Sequence, residues 1–443
     1  MDYFITKYDI ECPKGAECAV LEDSIMQKGY PVTAGSKILE NFISPLDATV
    51  VTRLEAAGVN ILGKTKMDEF GAGGLLLNAE LGIQNAELGL QNAELGIQNA
   101  ELGLQNSECE NKAFISGAVS AVADGAASFA LCNDYTGAIS RNAAAQGVCY
   151  IHPTYGTVSR YGLIPAVPSM DQIGIVCKTP AEGHHALTII AGYDSKDGAM
   201  YTEPNNEDVD ASSKPEMNIA NIGMNTLEGK AQRPVSSAVT KHEEVLQPGD
   251  VSQKCFCVGI PSSVLSRRPN SELRISNSML SAVTDFAKNF EVVDFDLKYS
   301  DIFTQIMQIL CCAELSNNLT RYDGIKFGYR AEGYKSLREL YTKSRTEAFG
   351  DSAKMASIIG SMVLSQENYA RYYDKAMRIR RLIKESLRFD RYDVILVPCV
   401  LNALPRLCGL PAITVPYHGE GITLIADVNS ENVLFSLLRV VKI

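Results

Sequence analysis

The stretch "SKILENFISPLDATVVTRLEAAGVNILGKTKMDEF", residues 36–70, decides the fold class. It reads as helix, turn, helix, strand. Val50, Leu54 and Ala57 recur on one helical face, and Asp47 or Thr49 can cap that helix at its start. Gly58 stops it, and "VNILG" then reads as a short buried strand. A strand that follows a helix over a short link is the α/β pattern.

Beyond this stretch the chain repeats itself as NAELGIQ, NAELGLQ, NAELGIQ, NAELGLQ, residues 78–105. Leu81, Leu88, Leu95 and Leu102 keep a heptad spacing, but the second apolar residue follows each leucine by only two positions. On a helix that step turns roughly 200°, so the pair faces opposite sides. Each unit also carries a glycine, which opposes helix by about 1 kcal/mol. The expectation is a tandem expansion in a surface loop without a catalytic part. A small self-packing helix or an interaction surface is the other reading.

The segment "FISGAVSAVADGAASFALCNDYTG", 114–137, is rich in small residues that let a helix pass closely through a core. Residues 150–198 alternate short strands and turns and end in an amphipathic helix. Residues 195–253 are polar and read as a spacer. "CFCVGIP" opens a second α/β unit, a long helical tract covers 300–388, and "YDVILVP", 392–398, is a buried strand. "GLPAITVPYHGEGITLIA", 409–426, reads as two strands closing the sheet.

The totals narrow the class. The chain has 443 residues, 46% of them apolar and 21% charged, enough for a large core in one large α/β domain or two ordinary ones. A net charge of -11 argues against a nucleic-acid surface of its own. The basic run "RYYDKAMRIRRLIK", 371–384, reads as a solvated helix face. Twelve cysteines are scattered, without C-x-x-C spacing or a nearby histidine, so no metal site is expected and they read as reduced, mostly buried thiols. The start lacks the zones of a signal peptide, and no apolar run reaches the length of a membrane span. An intracellular protein is expected.

Several segments carry a resemblance. They are "AGSKILENFISPLDATVVTRLEAAGVNILGKTKMDEFGAGG", "HPTYGTVSRYGLIPAVPSMDQIG", "NNLTRYDGIKFGYR", "SLRELYTKSRTEAFG", "YDVILVP" and "GLPAITVP". Together they resemble the amidase signature family. The tract 319–345 is similar, within that family, to the A subunits of glutamyl-tRNA(Gln) amidotransferases. The resemblance implies a single large α/β domain with a central mixed β-sheet flanked by helices. It would span 19–428, interrupted by the repeat 78–105 and the spacer 195–253. An irregular segment 1–18 would precede it, and a C-terminal helix 429–443 would follow. Family members carry further helical segments before their lysine motif, so the start is expected to be truncated or replaced. The implied activity is hydrolysis of glutamine, with ammonia passed to a partner that converts Glu-tRNA(Gln) to Gln-tRNA(Gln). Partners like the B and C subunits of those amidotransferases are implied, with no cofactor, no direct nucleic-acid contact and no membrane. The compartment implied is the cytoplasm or an organelle, a mitochondrion or plastid.

Family members of this kind use a Ser–Ser–Lys triad, with backbone N–H groups of a glycine-rich turn as oxyanion hole. The lysine motif, like A-V-K-D-N-I, falls on "AVLEDSI" and places Glu22 at the lysine. The glycine–serine loop falls on "KAFISGA" and places Phe114 at the bridging serine, with Ser116 the nearest hydroxyl. The nucleophile turn, like G-S-D-T-G-G-S-I-R-Q-P-A-A, falls on "CNDYTGAISRNAA" and places Ala138 at the nucleophile. The family's substrate anchors fall near Met355 and Ala356, where a basic residue is expected, and near Cys399, where an aspartate is expected.

The resemblance therefore implies a catalytically degenerate homologue with a structural or regulatory role. The alternative is an active amidotransferase component or amidase with a displaced serine, Ser140 or Ser116, and Lys64 or Lys66 as base. Cys132 beside the turn is either a further nucleophile or a buried thiol. His184 and His185 are expected at the start of a helix, as surface or capping residues. His152 is expected to pack.

Overall fold

Eleven strands form one mixed sheet in the order β1-β3-β2-β4-β6-β5-β10-β11-β9-β7-β8. They are β1 (Phe4–Lys7), β2 (Cys18–Glu22), β3 (Asn60–Thr65), β4 (Phe129–Asn133), β5 (Cys149–His152) and β6 (Ile173–Cys177). β7 (Cys257–Pro261), β8 (Glu291–Phe295), β9 (Val394–Pro398), β10 (Ala412–Tyr417) and β11 (Glu420–Ala426) complete it. The computed structural model describes residues 3–10, 12, 13, 15–76, 116–200, 256–265 and 275–441. The repeat 78–105, Phe114 and the spacer beyond residue 200 lie outside the described residues. Residues Met1–Tyr201 and Phe256–Ile443 make one compact unit, to which everything below belongs.

The period-two rule sets both faces of the sheet. Ala19 and Leu21 of β2, with Phe129 and Leu131 of β4, enter the larger core. Cys18 and Val20, with Ala130 and Cys132, enter a second core on the other face. Two short alanine-rich helices cover that second face, Gly117–Ala123 and Ala138–Ala145, through Val119, Val122, Ile139 and Ala143. Most of the remaining helices pack on the larger core. Strands buried on both faces need apolar residues throughout, and β2, β4 and β9 are buried along their whole length.

Helix Phe303–Leu319 packs against helix Asp351–Val363 at backbone distance. A Cβ on Gly360 would stand 2.0 Å from the carbonyl oxygen of Cys312. Gly360→Ala is therefore expected to cost roughly 2–3 kcal/mol, because neither backbone can recede without moving its helix. A urea midpoint equal to that of the unmodified chain would show that the two helices have slack.

Several expectations change. The segment 1–18 is not irregular throughout, since β1 pairs antiparallel with β3 and forms one sheet edge. Cys12 and Cys18 form a disulfide, which corrects the all-reduced reading for this pair; eight other described cysteines are free and buried or half-buried. β10 and β11 do not close the sheet from an edge but lie in its interior, between β5 and β9. The first helix expected in 36–70 is only a short 3-10 turn, Lys37–Leu39. The second, Thr49–Ala56, has Ala48 at its N-cap without a side-chain cap. Asp47 instead accepts from the Lys28 amide (2.7 Å), and the Thr49 hydroxyl donates to Asp194. His184 and His185 sit mid-helix in Pro180–Ile190, whose start is capped by Thr179 and Glu182. The tract 300–388 is broken by a loop, 320–336, between helices Phe303–Leu319 and Leu337–Ala348. Among the described residues, no helix is long and apolar enough to cross a membrane. Nor do any of them form a His/Cys/Asp/Glu group that could hold a metal ion.

Candidate functional site

β2 and β4 run parallel as neighbours, so their C-terminal ends lie side by side. Glu22 ends β2 and Asn133 ends β4. The Glu22 carboxylate accepts from the Asn133 amide (2.9 Å) and the Ser24 hydroxyl (2.8 Å). Burial pushes its carboxyl up to about 8, against the lowering effect of those two bonds, so it holds a proton at neutral pH. The position expected for the triad lysine therefore sits against the strand end that leads into the turn. It brings a neutral acid there, which cannot accept a proton as an amine would.

After β4 the chain turns through Asp134, Tyr135, Thr136 and Gly137 into helix Ala138–Ala145. Gly137 adopts φ 79°, the left-handed conformation that lets the turn close in one residue. Ala138 is half-buried at the first helical position. The first N–H groups of a helix ordinarily seek an outside acceptor. Here Thr136 Oγ1 accepts from Ala138 N (3.2 Å), and the Asp134 carboxylate accepts from Ile139 N (3.2 Å) and Ser140 N (2.9 Å).

A second layer of bonds locks the turn from residues about 270 positions away. Asn402 Nδ2 donates to the Gly137 carbonyl (2.9 Å) and to Ser140 Oγ (2.7 Å), and its Oδ1 accepts from Arg141 (3.0 Å). Arg406, one helical turn on, donates to the Asp134 carbonyl (2.6 Å), the Asp134 carboxylate (2.5 Å), the Asn402 carbonyl (2.6 Å) and Ser140 Oγ (3.0 Å). Arg406 and Asp134 side chains are 1% and 0% exposed, so the pair is fully desolvated. Burial alone would raise the Asp134 carboxyl; Arg406, then the Ser140 amide, bring it below the ordinary value.

Ser140 is thereby fully committed. Its hydroxyl donates to the Gly137 carbonyl (3.0 Å) and accepts twice, from Asn402 and Arg406. Among the described residues its bonded partners include no lysine. Ser116 caps helix Gly117–Ala123 by accepting from Val119 N (3.4 Å). Lys64 is fully buried in β3, its ammonium has no hydrogen-bond partner among the described residues, and burial lowers it to about 8 while Asp23 and Asp47 pull the other way. Lys66 is exposed, and its backbone ties Tyr3 to Gly117. The Cys132 thiol is raised by burial, then by Glu22 and Asp134, so it stays protonated and unreactive. His152 is buried, and desolvation with Arg406 lowers it to about 3, which keeps it neutral.

Tyr135 lines the small cavity beside the turn. Tyr135 is 1% exposed, donates to the Phe70 carbonyl (2.7 Å) and lies against Gly71. The cavity left between Ser24, Gly71, Asn133 and Tyr135 measures ≈ 10 Å³ among the described residues. That is room for about one water molecule, where small-molecule sites span about 300–1,000 Å³. The anchor positions do not converge on it. Ala356 is buried on helix Asp351–Val363, with Met355 beside it. Cys399 is buried against Gly421 and is one of the groups acting on Arg141, so it borders the lock without offering a carboxylate.

Sequence reasoning located Glu22, Ala138 and Ser140 in one place and missed Tyr135, Asn402 and Arg406. The i, i+4 spacing of Asn402 and Arg406 in "NALPRLCGLP" was a usable signal, since it puts two long-reaching donors on one helical face.

An amidase family model matches residues 19–81, 116–252 and 224–411. The A subunit of the glutamyl-tRNA(Gln) amidotransferase of Lachnoclostridium phytofermentans is 34% identical over 390 residues, 87% of this chain and 68% of that protein. The crystal structure of the corresponding A subunit from Thermotoga maritima superposes with a TM-score of 0.62 at 22% identity, covering 99% of this chain and 86% of that one. The native peptide amidase of Stenotrophomonas maltophilia gives 0.61 at 21% identity, covering 95% and 81%.

Proposed function

For a chain that belongs to the amidase family, and whose relatives there include A subunits of the glutamyl-tRNA(Gln) amidotransferase, we propose a scaffold that has lost its glutaminase chemistry. It keeps the fold of those A subunits in a structural or regulatory role, beside partners like the B and C subunits, in the conversion of Glu-tRNA(Gln) to Gln-tRNA(Gln). Residues 19–428 act as one unit, with the repeat and the spacer as insertions. The observation that carries this reading is Ala138 at the nucleophile position, in a turn whose amides already have internal acceptors.

The chemistry supports it. Amide hydrolysis needs a nucleophile, a base to take its proton and donors aimed at the developing oxyanion. An alanine supplies no nucleophile. A protonated Glu22 supplies no base. The active reading, with Ser140 as nucleophile, would require that hydroxyl to leave the Gly137 carbonyl and shed two donors before it could attack.

The test is ammonia release from glutamine by the purified chain, alone and with an amidotransferase B-type partner, while circular dichroism verifies the fold. No release above background is expected. Turnover that Ser140→Ala abolishes would sink the reading and restore the displaced-serine alternative.

A further inference from the structure

Among the described residues the chain carries one disulfide, Cys12–Cys18, beside eight free thiols that are buried or half-buried. The two halves of the bridge stand in different settings. Cys12 is exposed, in the loop between β1 and β2. Cys18 opens β2, is 0% exposed and enters the second core. Its backbone is fixed on both sides: its N–H donates to Ser128 Oγ (3.2 Å) and its carbonyl accepts from the Ser128 amide (2.8 Å). The bridge thus ties an outer loop to a strand that is buried along its whole length.

What it holds down is β1. This edge strand has four residues, alternately half-buried and exposed, and β3 is its one neighbour in the sheet. A strand so short and paired on one side is marginal by itself. Its anchors lie at its ends. The Tyr3 carbonyl accepts from Lys66 N (3.0 Å), and Tyr8 N donates to the Leu62 carbonyl (2.9 Å). The Tyr8 hydroxyl donates to Gln27 (2.8 Å), and its ring lies 4.0 Å from that of Tyr30. Between these ends β1 lies close on its neighbour, since a Cβ on Gly63 would stand 2.4 Å from the Thr6 carbonyl.

The tether governs how much of the time β1 is away. After Tyr8, the next described residue bonded to the sheet is Glu17, whose carbonyl accepts from Asn60 N (3.1 Å). Along the backbone eight residues, 9–16, separate the two. Through the bridge only four, 9–12, lead from Tyr8 to Cys18. The local concentration of a tethered segment falls roughly as the −3/2 power of tether length, so doubling the tether lowers it about threefold.

We propose that Cys12–Cys18 is a redox latch on this sheet edge, opened by a dithiol reductant. One thiolate of the reductant attacks Cys12 Sγ, the reachable sulfur. The S–S bond breaks, and its electron pair goes to Cys18 Sγ, which takes up a proton. The second thiolate then attacks the reductant's own sulfur in the mixed disulfide and releases Cys12, which is protonated in turn. The bridge gains two electrons and two protons, and the dithiol is oxidised to a cyclic disulfide. β1 is then open in about three times as many molecules, and each opening bares the backbone edge of β3 to other strands.

Amide hydrogen exchange, which reports local opening, is followed in the full chain purified without reductant, before and after excess dithiothreitol, and in Cys12→Ser. Reduction is expected to speed exchange at β1 and Tyr8 about threefold. Over the same period β4 and β9 stay protected in every form. Cys12→Ser, changed at an exposed position, should show the faster rate from the start and no further response to dithiothreitol. Iodoacetamide should mark Cys12 only after reduction. Alkylation of Cys12 in the untreated chain would overturn the bridge. Equal β1 rates before and after reduction would overturn the latch, as would loss of protection at β4 and β9 in the same period, which would make the loosening global.

Discussion

Arg406→Leu is expected to lower the stability of the chain by roughly 3–5 kcal/mol, the cost of leaving one member of a buried ion pair alone. The guanidinium is the counter-charge to a carboxylate with 0% exposure, and it also serves two carbonyls and the Ser140 hydroxyl. Arg406→Lys should recover little, because a single ammonium cannot reproduce a planar fork that reaches four acceptors. Asp134→Asn alone should also destabilise, since Arg406 would then be the unpaired charge. Combined with Arg406→Leu, it should cost clearly less than the two single changes added together, because neither charge is then stranded. Urea unfolding of the four proteins gives the cycle. Additive losses would mean that the turn is held by its other bonds and that the pair is incidental.

The second large effect is a fall in stability between about pH 4.5 and 8 that comes from Glu22. Glu22 has a folded-state pKa near 8 against an ordinary 4.5, raised chiefly by burial. Between those values the unfolded chain has lost this proton and the folded chain keeps it. Its stabilising contribution is therefore whole below pH 4.5 and gone above pH 8, a fall of roughly 3–5 kcal/mol. Lys64 works the opposite way: it is lowered by burial from 10.5 to about 8. Between those values the unfolded chain holds the extra proton, so the Lys64 contribution rises with pH by roughly 2–3 kcal/mol. The buried thiols of Cys149, Cys312 and Cys408, raised to about 12, meanwhile lower the stability of the whole chain above pH 9. Asp171, raised by burial to about 6, adds to the fall, and His152 opposes it in the acid range. Both are retained in Glu22→Gln and Lys64→Met, so differences from the unmodified chain isolate one group each. Glu22→Gln should gain on the unmodified chain from pH 4.5 to 8, and Lys64→Met should lose its advantage from pH 8 to 10.5. A Glu22→Gln curve parallel to that of the unmodified chain would show that the carboxyl is solvated.

Local patterns were legible where one element decides them. "VNILG" reads as a strand because Val59, Ile61 and Leu62 follow a helix stop in a short run, and β3 takes in all of it but Val59. Glu22 and Ala138 were placed by their motifs, and parallel pairing of β2 with β4 puts their surroundings together. What the sequence hides is action at long range. Asn402 and Arg406 are ordinary residues until the fold carries them to the turn. Tyr135 reads as a turn residue, and only the packing of Gly71 against its ring shows how closely its side chain is held. Ser140 looks available in a sequence, because a hydroxyl's partners are invisible there. The Cys12–Cys18 pair was missed because no spacing rule marks a bridge across six residues between an irregular segment and a strand.

The position of β10 and β11 has a consequence for how the protein is made. These strands bridge β5 to β9, and residues 412–426 therefore join two halves of the sheet, one whose last strand ends at Cys177 and one whose last strand ends at Pro398. Until they emerge, β5 and β9 each expose a raw edge beside apolar faces, the state in which strands pair with the wrong chain. Synthesis is thus the period of greatest exposure. A chain that stops between residues 398 and 412 is therefore not a shortened protein but two unfinished sheets, each with an edge that strand order leaves open.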